Sequence, residues 1–271
     1  MKYLPVICIM GLVSLAACEE KEKPVAVAMV GNEESPSENG AGKGPSPPMI
    51  DYSISPGPPR AEAAKENTRP ALEHDLAAAG LRYGDPVFIR AFKDERVLEL
   101  FVKNRKTGKF DLFRNYPIAA ASGILGPKQA EGDLQVPEGF YFVPPEAMKP
   151  DSQFHLAFNI GFPNEYDLAH NRTGTLIMIH GNRVSIGCLA MTDEKIEEIY
   201  TLCDAAHHNG QDFFRVHIFP FRMTGERMAK AAGDPNEVFW KNLKEGYDAF
   251  ETNKVPPNAG TKDGRYVFSA E

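Results

Sequence analysis

The sequence predicts a mainly β domain with flanking helices, of the α+β kind. Short β-rich runs separated by turn signals recur along the chain, and only a few stretches carry helical periodicity. The composition is ordinary for a globular chain, with 42% apolar, 10% aromatic and 25% charged residues in 271. It excludes a fibrous protein, a wholly disordered chain and a polytopic membrane protein. Lys plus Arg number 30 against 37 Asp plus Glu, a formal charge of −7. Such a chain lacks the footprint of a general nucleic-acid binder.

The amino terminus, MKYLPVICIMGLVSLAAC, has Lys2 followed by an apolar run from Leu4 to Leu15. About a dozen residues are too few for a bilayer, which takes about 20. The run fits the hydrophobic segment of a secretory signal peptide, residues 1–17. Leu15-Ala16-Ala17-Cys18 resembles a bacterial lipobox, which implies lipidation of Cys18; a plain secretory signal with Cys18 a bystander is the alternative reading. Glu19 stands where inner-membrane retention uses Asp, so the expectation is a periplasmic protein anchored to the outer membrane of a Gram-negative bacterium. Cys8 leaves with the signal, and an oxidising compartment permits Cys188 and Cys203 to pair. Cys203 reads more simply as a small apolar residue on a buried helix face.

Half of the residues from Pro24 to Pro59 are Pro, Gly or Ser, with no apolar period. A segment of that kind cannot offset its ordering entropy, so residues 18–69 read as lipidated Cys plus tether. A short helix around Pro70 to Ala79, stopping at Gly80, opens a folded domain over 70–254. Val87–Phe92 and Val97–Lys103 flank a turn at 93–96, and a second turn leads into Phe110–Ala121: an antiparallel meander. Gly139–Val143, Thr175–His180 and Val216–Phe219 add strands. Thr192 to His208 reads as a helix with Ile196, Ile199, Tyr200 and Cys203 on one face. Met191 before a Thr192 N-cap and Ile196 inside the helix form a hydrophobic staple. Glu237–Phe250 is a further helix, residues 255–271 read as a tail, and the helices are expected on one side of the strands.

The chemistry concentrates in Ile179-His180-Gly181-Asn182-Arg183-Val184-Ser185-Ile186-Gly187-Cys188. A strand delivers His180 and a Gly-containing loop brings Cys188 back. Together they supply a nucleophile and a base. Gly187 admits a bound carbonyl closely, and the amides leading into Cys188 suit an oxyanion hole. A reactive Cys188 would show a thiol pKa below about 8.5.

His-Gly followed by Ser-x-Gly-Cys resembles the signature of the YkuD-type L,D-transpeptidase catalytic-domain family. Ser122-Gly123, Gly126-Pro127-Lys128, Gly132-Asp133 and Pro137-Glu138-Gly139-Phe140-Tyr141 are similar to a second block of that family. Phe162-Pro163-Asn164-Glu165-Tyr166-Asp167 and His217-Ile218-Phe219-Pro220-Phe221-Arg222-Met223 resemble its YafK branch. The resemblance spans roughly Asp85 to Tyr247 and implies a β-sandwich or barrel-like fold. By position it implies Cys188 as acylated nucleophile and His180 as general base. Gly181 would fix the imidazole tautomer, and Ser185 and Gly187 would shape the approach to the sulfur. It implies acyl transfer at the diaminopimelate carbonyl of peptidoglycan stem peptides, without metal or organic cofactor, and the YafK branch implies release of a peptidoglycan-attached lipoprotein.

Two departures bear on that reading. Most members have His directly before the Gly-Cys pair and Arg two residues after the Cys, where this chain has Ile186 and Ala190, and the His-to-Cys spacing here is much shorter than the family's usual one. The missing Arg removes a clamp for a substrate carboxylate. Arg183 or Arg172 could supply the cation, and Tyr166 and Asp167 could line the substrate groove, although turn chemistry accounts for Asp167 as well. His155, His170 and His217 carry no close metal-ligand spacing, which disfavours a zinc amidase; Asp193 and Glu194 suit the helix dipole. Three functions remain in view. These are hydrolytic release, transpeptidation that forms 3–3 cross-links or attaches lipoprotein, and a non-catalytic wall-binding lipoprotein.

Overall fold

The structure is a computed structural model and describes residues 57–269; the signal segment, Cys18 and the tether up to residue 56 lie outside them. In chain order the elements are α1 (Pro58–Ala78), β1 (Val87–Phe92), β2 (Val97–Lys103), β3 (Phe110–Pro117), β4 (Ala120–Ala121), β5 (Gly139–Val143), β6 (Met148–Lys149), β7 (Ala157–Asn159), α2 (Glu165–Ala169), β8 (Met178–His180), β9 (Leu189–Ala190), α3 (Asp193–His208), β10 (Phe214–Phe219), α4 (Gly225–Lys230), α5 (Glu237–Asn253), β11 (Asn258–Lys262) and β12 (Arg265–Ser269).

The folded domain starts well before Pro70. Pro58 and Pro59 sit at the start of α1, where a missing N–H costs nothing, and Pro70 lies inside the helix. An interior proline costs about 3 kcal/mol. The offset comes from Ala61, Ala64, Thr68, Leu72 and Leu76, buried at helical spacing on both sides of Pro70. This stripe packs on α3, and Thr68 Oγ1 donates to Thr201 Oγ1 at 3.1 Å.

Two five-stranded sheets organise the domain. The first runs β3-β2-β1-β10-β5, with β1 and β10 parallel and the meander β1–β2–β3 antiparallel, as the turn signals predict. The second runs β4-β9-β8-β7-β6, with β8 and β9 parallel. Three expectations are corrected here. The run Phe110–Ala121 is divided, its last two residues leaving for the second sheet. The strand over Thr175–His180 shrinks to Met178–His180, because Thr175 and Leu176 face solvent. The tail is a hairpin, β11 against β12, closed by Asp263 and Gly264 at φ of 50° and 70°, the two-residue turn that matches strand twist.

Strand β1 shows why helices cover both faces of the first sheet rather than one. All six of its residues are buried. Val87, Ile89 and Ala91 enter the core shared with α1, α3 and the second sheet. Phe88 and Phe92 point the other way, onto Phe250 and Tyr247 of α5, with ring centroids 4.8 and 6.3 Å apart. A strand buried on both faces must have a layer on each.

Candidate active site

His180 ends β8 and Cys188 immediately precedes β9. In the parallel register His180 pairs with Ala190 and Ile179 with Leu189. Residues two apart on a strand share a face. His180 and Cys188 therefore rise on the same side, while Ile179 and Leu189 sink into the core. Both open into one cleft of about 530 Å³. The second sheet thus brings the predicted pair together through its own strand register.

The imidazole is held from three sides. His180 Nδ1 donates to the Gly181 carbonyl at 2.6 Å, which leaves Nε2 with its lone pair. The Phe154 ring lies 4.9 Å from the imidazole. Gly181 has no room for a side chain: a Cβ would stand 2.5 Å from Asp193 Oδ1 and 2.8 Å from the Phe154 carbonyl. Asp193, read from sequence as a dipole partner, also accepts the Asn182 amide at 2.6 Å and so ties the His180–Cys188 loop to α3.

The loop leading into Cys188 is fixed by Ser185, whose Oγ donates to the Cys188 carbonyl at 2.6 Å. Gly187 has φ +118°, which L side chains rarely adopt. Among the described residues the Gly187 and Cys188 amides donate to no other group, which leaves them for an oxyanion. The sulfur accepts from the Met178 amide at 3.4 Å and lies 3.7 Å from the Leu176 carbonyl, and it makes no hydrogen bond to His180. Burial pushes the Cys188 thiol up, and the Met178 amide and the Lys128 charge counter this only in part. Burial also pushes His180 down, against the Gly181 carbonyl and Asp193. Against the expected low thiol pKa, burial favours the protonated thiol at Cys188 and the neutral imidazole at His180.

The rim of the cleft is apolar. Leu134, Leu176, Val184 and Ile186 stand around it, each more than half exposed. Lys128 brings a cation into its wall, a residue the sequence offered only within a block and with no local signal of a site.

The other predicted site residues lie elsewhere. Asp167 is fully buried and accepts Arg172 at 2.8 Å and the Tyr141 hydroxyl at 3.0 Å. With Asn164 it forms a reciprocal cap on α2, so turn chemistry accounts for it. Tyr166 stacks on Tyr266 and His170, both centroids 4.1 Å away, and the Arg172 guanidinium lies 4.9 Å from the Phe239 ring. None of the three lines the cleft. Arg183 is exposed on the loop between His180 and Cys188 and does not line the cleft either. Ala190 is wholly buried between β4 and β8, where an arginine would have no space. Cys203 is a free, fully buried thiol on α3. The histidines disperse: His155 pairs with Glu197 at 2.7 Å, His170 stacks on Tyr166, and His217 lies between Phe88 and Phe140.

Residues 86–243 match the L,D-transpeptidase catalytic domain known as YkuD. YafK of Escherichia coli K12, whose name carries a provisional L,D-transpeptidase assignment, is 47% identical over 186 residues, covering 69% of this chain and 75% of that protein. Its counterpart in Escherichia coli O157:H7 matches to the same extent. Among solved structures, the helical cell shape determining protein Pgp2 of Campylobacter jejuni aligns at TM-score 0.41 with 19% identity, covering 67% of this chain and 74% of that one. Its K307A mutant aligns at TM-score 0.41 with 21% identity, and there the chain spans 57% of the other's length.

Proposed function

The chain belongs to the YkuD L,D-transpeptidase catalytic-domain family, and on that premise we propose that it transfers acyl groups at the diaminopimelate carbonyl of peptidoglycan stem peptides through a Cys188 thioester. The observation that carries this reading is the placement of Cys188 and His180 on one face of adjacent parallel strands, in one cleft. His180 Nε2 takes the thiol proton as the sulfur attacks, and the tetrahedral oxyanion accepts from the Gly187 and Cys188 amides. The leaving amine then takes that proton. Water, deprotonated by the same imidazole, resolves the thioester. We read the protein as periplasmic and lipid-anchored through Cys18.

Hydrolytic release of a peptidoglycan-attached lipoprotein is the favoured reaction, and the apolar rim supports it. A diaminopimelate stem offers amines and carboxylates, whereas an attached polypeptide offers apolar side chains to Leu176, Val184 and Ile186. The likeness to proteins named as transpeptidases favours the second reading, in which a diaminopimelate or lysine amine replaces water. Incubation with lipoprotein-bearing sacculi, read by mass spectrometry, separates them. Released lipoprotein with tripeptide stems left behind supports the amidase; new diaminopimelate–diaminopimelate links support the transpeptidase. Neither product, from folded protein, would leave a wall-binding module.

A further inference from the structure

The wall of an apolar-rimmed cleft holds a cation that the mechanism above does not use. Lys128 is 4% exposed, yet it lines the cleft beside Cys188. Its stem occupies space that Gly174 leaves: a Cβ there would stand 2.8 Å from Lys128 Cε. Its ammonium donates to Asp133 Oδ1 at 2.5 Å and to the Ala130 carbonyl at 2.8 Å. An ammonium has three donors, so one remains beyond these two, with the centroid of the Phe162 ring 6.0 Å from the nitrogen.

Both oxygens of Asp133 are engaged. Its oxygens accept the amides of Gln129 and Ala130 at 2.8 and 3.0 Å and that of Gln135 at 3.0 Å. Burial alone would raise its carboxyl, but the Ala130 amide, Lys128 and the other amides hold it down at about 2. Asp133 therefore fixes the ammonium without spending its last donor, and the charge still reaches Cys188, where it favours the thiolate. Neither Arg172 nor Arg183 lines this space.

We propose that Lys128 is a specificity residue whose free N–H binds a carboxylate flanking the scissile amide of the stem peptide. The proposal rests on the reading of the protein as a stem-peptide acyl transferase. Two carboxylates could fill the role: the side-chain carboxylate of the diaminopimelate on the acyl side, and the terminal carboxylate of the departing residue. A charge-assisted hydrogen bond of this kind changes affinity by about 10- to 100-fold.

The test uses the full-length protein and two synthetic stem peptides, each amidated at one of those carboxylates, beside the unmodified peptide. In the wild type, amidation at the recognised carboxylate lowers kcat/KM by about 10- to 100-fold, mainly through KM. In Lys128→Met the preference disappears, because the variant handles acid and amide alike, and Lys128→Arg retains it. Lys128→Gln keeps a donor for the Ala130 carbonyl and guards against a loop that collapses in the methionine variant; it predicts the same loss of preference. A structural staple would instead lower activity on both peptides equally and leave the ratio intact, which overturns the assignment. A wild type indifferent to both amidations overturns it too. If the wild type neither binds nor turns over any of the peptides, the reading of function falls together with the inference.

Discussion

Replacing Glu138 with Ala removes the tie that holds the loop carrying Lys128 and the cleft wall. Glu138 is wholly buried and accepts Lys93 Nζ at 3.0 Å, the Gly126 amide at 2.7 Å and Trp240 Nε1 at 2.8 Å. Lys93 donates onward to the carbonyls of Gly126 and Val136, both at 2.8 Å. Losing Glu138 strands a buried ammonium, which costs about 3–5 kcal/mol in a domain whose whole stability is about 5–15 kcal/mol. The protein has one Trp, so Trp240 fluorescence reports the transition directly. With a urea slope of about 3 kcal/mol per molar, the midpoint falls by about 1–2 M.

The pH dependence sharpens the test. Burial lowers the Lys93 pKa and Glu138 opposes that. Without Glu138 the folded-state value falls further below the unfolded one. Between the two values the unfolded chain binds the extra proton, so stability rises with pH and the deficit shrinks as pH approaches the ordinary lysine value. The pair Lys93→Met with Glu138→Leu removes both charges and costs less than Glu138→Ala alone. A midpoint shift under about 0.5 M, or a double variant worse than the single one, would refute this account of the loop.

Gly181→Ala should disturb His180, since the new Cβ would meet Asp193 Oδ1 at 2.5 Å and His155 Cβ at 2.9 Å. A loss of about 1–3 kcal/mol in thermal melts and a fall in kcat of about tenfold or more are expected. The lowered His180 pKa places the acid limb of the kcat/KM profile below the ordinary imidazole value, because protonation removes the base. A limb at or above that value contradicts the burial argument. In alkylation, Cys188 should titrate above an ordinary thiol, and Cys203, fully buried, should label only on unfolding. Native labelling of Cys203 at the Cys188 rate would contradict the packing of α3.

The strands β1, β2 and β5 were legible as β-rich runs bounded by charged or turn residues, and the helix α3 by its helical periodicity. The convergence of His180 and Cys188 on one cleft was legible too, because one short loop joins them within a parallel strand pair. The start of α1 was hidden by Pro70, although Ala61, Ala64, Thr68, Leu72 and Leu76 continue one stripe across it. The closing hairpin was missed because its Asp263-Gly264 turn carries little apolar alternation around it: β11 is Asn-Ala-Gly-Thr-Lys. Lys128 could not be found from local pattern at all. Its place in the cleft wall depends on a loop far from Cys188 in sequence, and on Asp133 and Gly174 shaping its berth. Arg172 misled because a cation near a motif says nothing of its partner, here the buried Asp167.

The most direct test of Cys188 as nucleophile is intact-protein mass spectrometry after brief incubation with a diaminopimelate stem peptide, quenched in acid to preserve thioesters. The account predicts a mass increase equal to the acyl fragment, mapped to the peptide containing Cys188, absent in Cys188→Ala and strongly slowed in His180→Ala. Turnover that persists in Cys188→Ala, or an adduct on any other residue, would contradict it.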